Sequence, residues 1–124
     1  KNVIVDVIQN ESYVDYYEEG DLYEIAGNII DNAYKWCHQR VQITLAESKQ
    51  TQYSFSLQVE DDGPGIPPHR INDILQRGVR ADENIQGHGI GMAVVNDLVR
   101  LSGGQLLGKT SATLGGMKWQ VLLP

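Results

Sequence analysis

Leu22, Ile25, Ala26, Ile29, Ile30, Ala33 and Cys37 recur at steps of three and four, a spacing that lines up one apolar stripe along a helix. Gly20 and Asp21 precede the run, and Asp21 is a suitable N-cap, so the spacing predicts a helix over residues 21–38. One such stripe must be buried against something. The remaining apolar residues supply a sheet: Val3, Val5 and Val7 alternate with Ile4, Asp6 and Ile8, and a weaker strand follows near residues 13–17. Val41, Ile43 and Leu45 alternate, as do Tyr53, Phe55, Leu57 and Val59, with polar residues 47–52 as a hairpin connection.

Residues 60–68 read EDDGPGIPP, too rich in Gly and Pro for a regular element, and are expected to form a loop. A short helix is expected over residues 69–76. Residues 77–91 carry glycines at 78, 87, 89 and 91 with little apolar periodicity and read as a long mobile segment. Helical spacing returns from Gly91 to Leu101 and stops at Ser102-Gly103-Gly104, and strands are expected over 105–109 and 116–123. This order is not a strict βαβ alternation. It predicts an α+β two-layer sandwich, a mixed and mainly antiparallel sheet with helices on one face, formed by a single domain over residues 1–124.

Ten Lys+Arg stand against sixteen Asp+Glu, for a net charge of −6, which disfavours nucleic-acid partners bound by phosphate neutralisation. No stretch approaches the roughly 18 apolar residues of a membrane span, so this chain is expected not to contact a membrane directly. The single cysteine, Cys37, excludes an internal disulfide and a paired metal knuckle. The chain starts at Lys1 without an initiator Met or a leader, as expected of a piece cut from a longer protein.

Opposite the apolar stripe of the first helix stand Glu24, Asn28, Asp31, Asn32 and Lys35. An amphipathic helix always has a solvated face, and that reading stays open. Two asparagines one turn apart nevertheless run against helix propensity, because their amides compete for backbone groups. Amide oxygens suit Mg²⁺, and Lys35 one turn further suits phosphate, so the stripe makes chemical sense beside a nucleotide.

Asp62-Gly63-Pro64-Gly65 follows a strand, so it is either a plain turn or a carboxylate set beside glycines that let a ligand approach, able to accept from an exocyclic amine. Gly87-His88-Gly89-Ile90-Gly91 leads into the second strong helix, where unpaired N–H groups attract anions, although such a run also serves as a hinge. Neither a Rossmann G-x-G-x-x-G after an early strand, nor a Walker loop, nor the protein-kinase motifs can be written.

Taken in order, Asn28-x-x-x-Asn32-Ala33-x-Lys35, Asp62-Gly63-Pro64-Gly65-Ile66-Pro67, Arg77-Gly78-x-Arg80, Gly87-x-Gly89-Ile90-Gly91-Met92 and Gly115-Gly116 resemble the N, G1, F, G2 and G3 boxes of histidine-kinase catalytic domains. The chain from about Val3 to Leu123 thus resembles the GHKL, or Bergerat-fold, ATP-binding superfamily, and within it the PhoQ-type sensor kinases. The resemblance implies ATP and Mg²⁺ as cofactors, with Asp62 holding the adenine amino group beside Gly63, Gly65 and Ile66. It implies Asn28 and Asn32 on Mg²⁺ and phosphates, Lys35 on phosphate oxygens, and Trp36 near the nucleotide or, equally, in the core. Arg77 and Arg80 would reach phosphates, and Gly87, His88, Gly89, Ile90 and Gly91 would form the closing end of an ATP lid. Two departures stand out. Ile74-Leu75-Gln76 replaces the phenylalanine of the F box, and His88 replaces a glutamine, putting a softer ligand near the metal.

Hydrolytic members carry a Glu one turn before the second asparagine, where this chain has Asn28. An amide is no general base, and Glu24 is a further turn back. The resemblance therefore implies phosphoryl transfer to a histidine on a separate dimerisation domain, with Asn28, Lys35, Arg77 and Arg80 in the catalytic set. His38, His69 and His88 lack a phosphoacceptor context, so that partner domain, a response regulator beyond it and a homodimeric full-length kinase anchored in the inner membrane with this domain in the cytoplasm are all expected from elsewhere. A stand-alone GHKL serine kinase of the anti-sigma type, or a weak ATPase, is the alternative.

Overall fold

The computed structural model describes residues 2–9, 19–48, 52–82 and 91–124, with residues 19–21 and 77–82 as backbone only. The elements run β1 (Ile4–Gln9), α1 (Glu19–Trp36), β2 (Arg40–Glu47), β3 (Phe55–Asp61), α2 (Pro68–Asp82), α3 (Met92–Leu101), β4 (Gln105–Thr110) and β5 (Met117–Leu123). The strands make one sheet in the order β1-β2-β3-β5-β4. Among the described strands, β1 and β2 run parallel and the other neighbouring pairs run antiparallel.

Strand alternation decides which side chains meet the helices. Val41 and Ile43 stand beside Asp61 and Val59, and Val59 stands beside Trp119. These residues are buried with Leu57, Val121 and Leu106, so this is the covered face. From α1 the buried residues are Ile25, Ile29 and Ala33, followed by Cys37 just past its end, with Leu22, Ala26 and Ile30 packed at their edges. Thus the apolar stripe finds the surface its spacing demanded. Helix α1 lies against β3 and α3, and α3 against α2 and β4. At the other end of α3, Gly103 takes φ 81°, and the N–H groups of Gly103 and Gly104 close on Arg100 and Val99 at 3.0 and 2.9 Å, the left-handed stop that Ser-Gly-Gly predicted. Trp119 is fully buried, and among the described residues its indole Nε1 is the one buried side-chain polar atom without a partner.

The two-layer α+β architecture with a mixed sheet is the one expected from the element order. Some local expectations need correction, and others lie outside the described residues. Glu60 and Asp61 are not loop but the last residues of β3, paired with Lys118, Gln42 and Val41, because their backbone continues the ladder whatever their polarity. Helix α2 does not end near residue 76 but continues to Asp82, so the first part of the segment read as mobile is helical. Ile74 and Leu75 pack at the edge of the core, the apolar contacts left where the F-box phenylalanine is missing. The weak strand near residues 13–17, and the lid residues Gly87, His88, Gly89 and Ile90, lie outside the described residues.

Candidate functional site

The end of β3 carries adjacent carboxylates that point to opposite sides of the strand, and their surroundings differ. Asp61 shares the inward parity of Leu57 and Val59 and is 2 % exposed. Its Oδ1 accepts the N–H of Gly63 at 2.9 Å and that of Met117 at 3.2 Å. Both bonds go to the same oxygen, and Oδ2 receives no hydrogen bond among the described residues. Burial pushes the Asp61 carboxyl above its ordinary 3.8, against the N–H bonds from Gly63 and Met117 that favour ionisation.

Two glycine turns frame this carboxylate. Gly65 sits at φ 74°, a left-handed conformation that side chains rarely adopt, and a Cβ on it would lie 3.5 Å from Gly116. The second turn closes through Ser111 N–H to the Gly116 carbonyl at 2.7 Å and Gly115 N–H to the Ser111 carbonyl at 2.9 Å. Gly116 N–H then donates to the Asp61 carbonyl at 3.0 Å. On the outer face the buried Glu60 accepts the Ser111 hydroxyl at 2.9 Å, and Leu114 N–H returns to that hydroxyl at 3.0 Å. Glu60 therefore holds from behind the turn that presents Gly116 and Met117 to Asp61.

Asp62, the carboxylate expected to read the base, is placed differently. Its Oδ1 accepts the N–H groups of His38 and Gln39 at 2.8 and 3.1 Å, and its Oδ2 that of Gln39 at 3.2 Å. Both oxygens thus accept backbone N–H groups, unlike the open acceptor expected at Asp62 for an adenine amine. Desolvation pushes this carboxyl up, but the N–H groups of Arg40, Gln39 and His38 together outweigh it and hold the group below 3.8. The residue with an uncommitted oxygen is Asp61, missed because it was grouped with the loop. Continuing the alternation Phe55, Leu57, Val59 by one step would have found it on the inner face.

These opposite shifts predict opposite pH dependences. The folded pKa of Asp62 is depressed, so its contribution to stability is present above about 3.8 and is lost as pH falls through the lower folded value. For Asp61 the folded pKa is raised, so its favourable contribution is present below 3.8 and is lost as pH rises through the folded value. Urea midpoints against pH check this. The advantage of the wild type over Asp62→Asn should shrink in acid, whereas the difference between wild type and Asp61→Asn should grow in favour of Asn as pH rises. A pH-independent difference for both variants would contradict it.

The C-terminal end of α1 reaches the same end of the sheet. Asn28 and Asn32 are half-buried, while Glu24, Lys35 and Trp36 are exposed. Lys35 Nζ lies 3.2 Å from Asp31, one turn back. A Cβ on Gly63 would stand 2.3 Å from the Trp36 carbonyl oxygen, so the loop after β3 rests on the last residue of α1. Trp36, Asp62, Gly63 and Gly65 are brought together around Asp61, with Asn32 and Asn28 one and two turns back along α1. Ile66 is half-buried against the core. Gly91 is the buried N-cap of α3, at φ −71° and ψ 163°, and makes no side-chain cap. The side chains of Arg77 and Arg80 lie outside the described residues. As a metal site the described residues offer no group of three or more His, Cys, Asp and Glu. The neutral amide oxygens of Asn28 and Asn32 suit Mg²⁺ only where anionic ligand oxygens complete the shell.

The fold defines a class of α+β sandwich, a mixed sheet covered on one face by helices, with a recessed carboxylate at the end of a central strand and an amide-bearing helix beside it. The chain belongs to the histidine kinase-, DNA gyrase B- and HSP90-like ATPase family, whose model matches residues 17–124. Among curated relatives, it is 41% identical over 108 residues to the sensor protein kinase CarS of Pseudomonas aeruginosa, covering 87% of this chain and 23% of CarS. It is 36% identical over 121 residues to the virulence sensor histidine kinase PhoQ of Salmonella typhimurium, covering 98% of this chain and 24% of PhoQ. The chain thus spans about a quarter of the length of these relatives. Among solved structures, the mycobacterial sensor histidine kinase MprB superposes with a TM-score of 0.76 at 26% identity, over 98% of this chain and 81% of that one. The ATP binding domain of PrrB from Mycobacterium tuberculosis shares the fold, with a TM-score of 0.69 at 23% identity over 97% of this chain and 80% of that one.

Proposed function

We propose that this chain is the Mg-ATP-binding and phosphodonor domain of a two-component sensor kinase, transferring the γ-phosphoryl group to a histidine on a separate dimerisation domain of the same protein. The observation that carries the reading is the uncommitted Oδ2 of buried Asp61, held at the end of β3 by the N–H groups of Gly63 and Met117. A buried carboxylate with one oxygen fixed by backbone and the other open suits a base that donates an exocyclic N–H. Membership of the family and the likeness to CarS and PhoQ, both sensor kinases, support it.

Bound Mg-ATP supplies the transferable γ-phosphoryl group and the divalent charge that makes its transfer feasible. Asp61 accepts from the adenine amine. Asn28 and Asn32 offer amide oxygens to the metal, and Lys35 turns from Asp31 towards phosphate. On the family resemblance, Arg77 and Arg80 are assigned to phosphate and the glycines at 87, 89 and 91 to the ATP lid. Asn28 cannot take a proton from water, so hydrolysis lacks its base and the phosphoryl group is kept for a protein acceptor. His38 and His69 stand in no helical acceptor motif. The acceptor domain, a response regulator receiving the phosphoryl group, a homodimeric full-length kinase and a cytoplasmic position beneath an inner-membrane anchor follow from the sensor-kinase reading. Among the described residues no helix is long and apolar enough to cross a membrane.

Calorimetry with a non-hydrolysable ATP analogue and Mg²⁺ tests the binding step, and absence of heat and of competition at millimolar nucleotide would refute it. The chain alone should turn over ATP far more slowly than the roughly 10 per second of an ordinary enzyme. Glu24→Ala should leave that slow rate unchanged, and Asn28→Glu should raise it. Acid-labile label transferred from ATP to the dimerisation domain of the same protein supports the kinase reading, whereas a fast wild-type ATPase with no transfer would replace it.

A further inference from the structure

We infer that Asp62 is a positioning residue, whose carboxylate ties the end of α1 to the loop after β3 and so sets Asn28, Asn32 and Lys35 at the right distance from Asp61. This inference rests on the nucleotide-binding reading above. Helix α1 closes its ladder with Cys37 N–H on the Ala33 carbonyl at 2.9 Å, and the sheet ladder begins at Arg40. Between them, the N–H groups of His38 and Gln39 have left one regular element and not yet entered the next. Left unpaired, such groups are costly where water is excluded and let the turn drift where it is not. A side chain more than twenty positions further along supplies the acceptor for both, at 2.8 and 3.1 Å. Its own N–H donates to the Arg40 carbonyl at 3.2 Å, which closes the link from the other side.

The neighbouring residue shows how close this link is. With the Trp36 carbonyl where a Gly63 Cβ would sit, loop and helix end touch through backbone, and Gly63 itself donates to Asp61. Asp62 therefore stands between the half of the site that reads the base and the half that meets phosphate. With its oxygens accepting from His38 and Gln39, it is held against the helix end rather than standing open as Asp61 Oδ2 does. Freed of the link, the last turns of α1 would shift first at Lys35 and Asn32, on the phosphate side.

The test titrates the wild-type chain, Asp62→Ala and Asp62→Asn with ATP and with AMP by calorimetry, with a thermal melt of each. Asp62→Ala should weaken ATP by about tenfold and AMP by less than about threefold, with the adenine-over-guanine preference unchanged. Asp62→Asn keeps an oxygen acceptor and should stay within about twofold of wild type. A base-reading role would instead change the adenine preference, and a merely structural one would weaken both nucleotides equally; either result overturns the inference. Wild-type affinity retained in Asp62→Ala overturns it while leaving the proposed function intact. A wild type that binds neither nucleotide overturns both. Should Asp62→Ala not fold, Asp62→Ser, whose single hydroxyl is a weaker acceptor, takes its place with the same expectations.

Discussion

Replacing Asp61 with Asn should reduce ATP affinity roughly 10- to 100-fold, the loss of one charge-assisted hydrogen bond worth about 1.5–3 kcal/mol, without loss of thermal stability. The asparagine carbonyl still accepts from Gly63 and Met117 in the place of Oδ1. Its NH₂ group then occupies the place of Oδ2 and faces the adenine amine donor to donor. The same NH₂ suits a guanine carbonyl, so the variant should shift preference towards guanine nucleotides. Stability should hold or rise, because a carboxyl whose ionisation burial disfavours becomes a neutral group of the same shape. Nucleotide titrations with ATP and GTP, paired with a melting curve, check both halves. Unchanged affinity in a folded variant would remove Asp61 from the site, and a collapsed melting temperature would make it a structural residue instead.

Gly116→Ala should be the most damaging single change at the site. An added Cβ would lie 2.3 Å from Asp61 Oδ1, 2.4 Å from the Asp61 carbonyl oxygen and 2.6 Å from Gly63 N, all of them atoms fixed by backbone. Two are backbone atoms, and the third, the Asp61 carboxylate oxygen, is held by two N–H bonds. The turn must move, and the Gly116 N–H bond to Asp61 and the Met117 bond to its carboxylate move with it. Overpacking of about 1–3 kcal/mol together with about 1 kcal/mol for each weakened hydrogen bond predicts a loss of roughly 3 kcal/mol. For a domain of this size that is roughly 10 °C in melting temperature. Nucleotide affinity should fall as well, because Asp61 loses the donors that hold it. Gly115→Ala is the useful contrast: its Cβ would meet nothing within 4 Å, and its cost would come from the backbone at φ 88° alone. A Gly116→Ala protein that melts and binds like wild type would show that the turn is loose and does not hold the carboxylate.

Much of the architecture was legible in the chain because it follows from local periodicity. The step of three and four from Leu22 to Cys37 yields α1 with Ile25, Ile29 and Ala33 buried, and the alternation in Val41, Ile43 and Leu45 and in Phe55, Leu57 and Val59 yields β2 and β3 paired antiparallel. Composition misled where it was allowed to override the ladder. Glu60 and Asp61 are acidic and adjoin glycines, yet each is buried at the end of β3, because partners far along the chain satisfy them: Ser111 for Glu60 and Met117 for Asp61.

The chemistry of the site divides in the same way. The proposal that a carboxylate, two amides and a lysine serve one nucleotide is legible in residue types and their order, since donors and acceptors are properties of side chains. Which carboxylate serves depends on the partners each one finds. Asp61 and Asp62 are chemically identical neighbours, and only the packing of α1 against the end of β3 gives one of them the N–H groups of His38 and Gln39 and leaves the other with an open oxygen. Hydrogen bonds between residues 24 and 56 positions apart have no trace in local spacing. They exist because β3 turns Asp61 to its covered face while Asp62, in the loop just past the strand, meets the end of α1, so the folded chain puts a different surface against each.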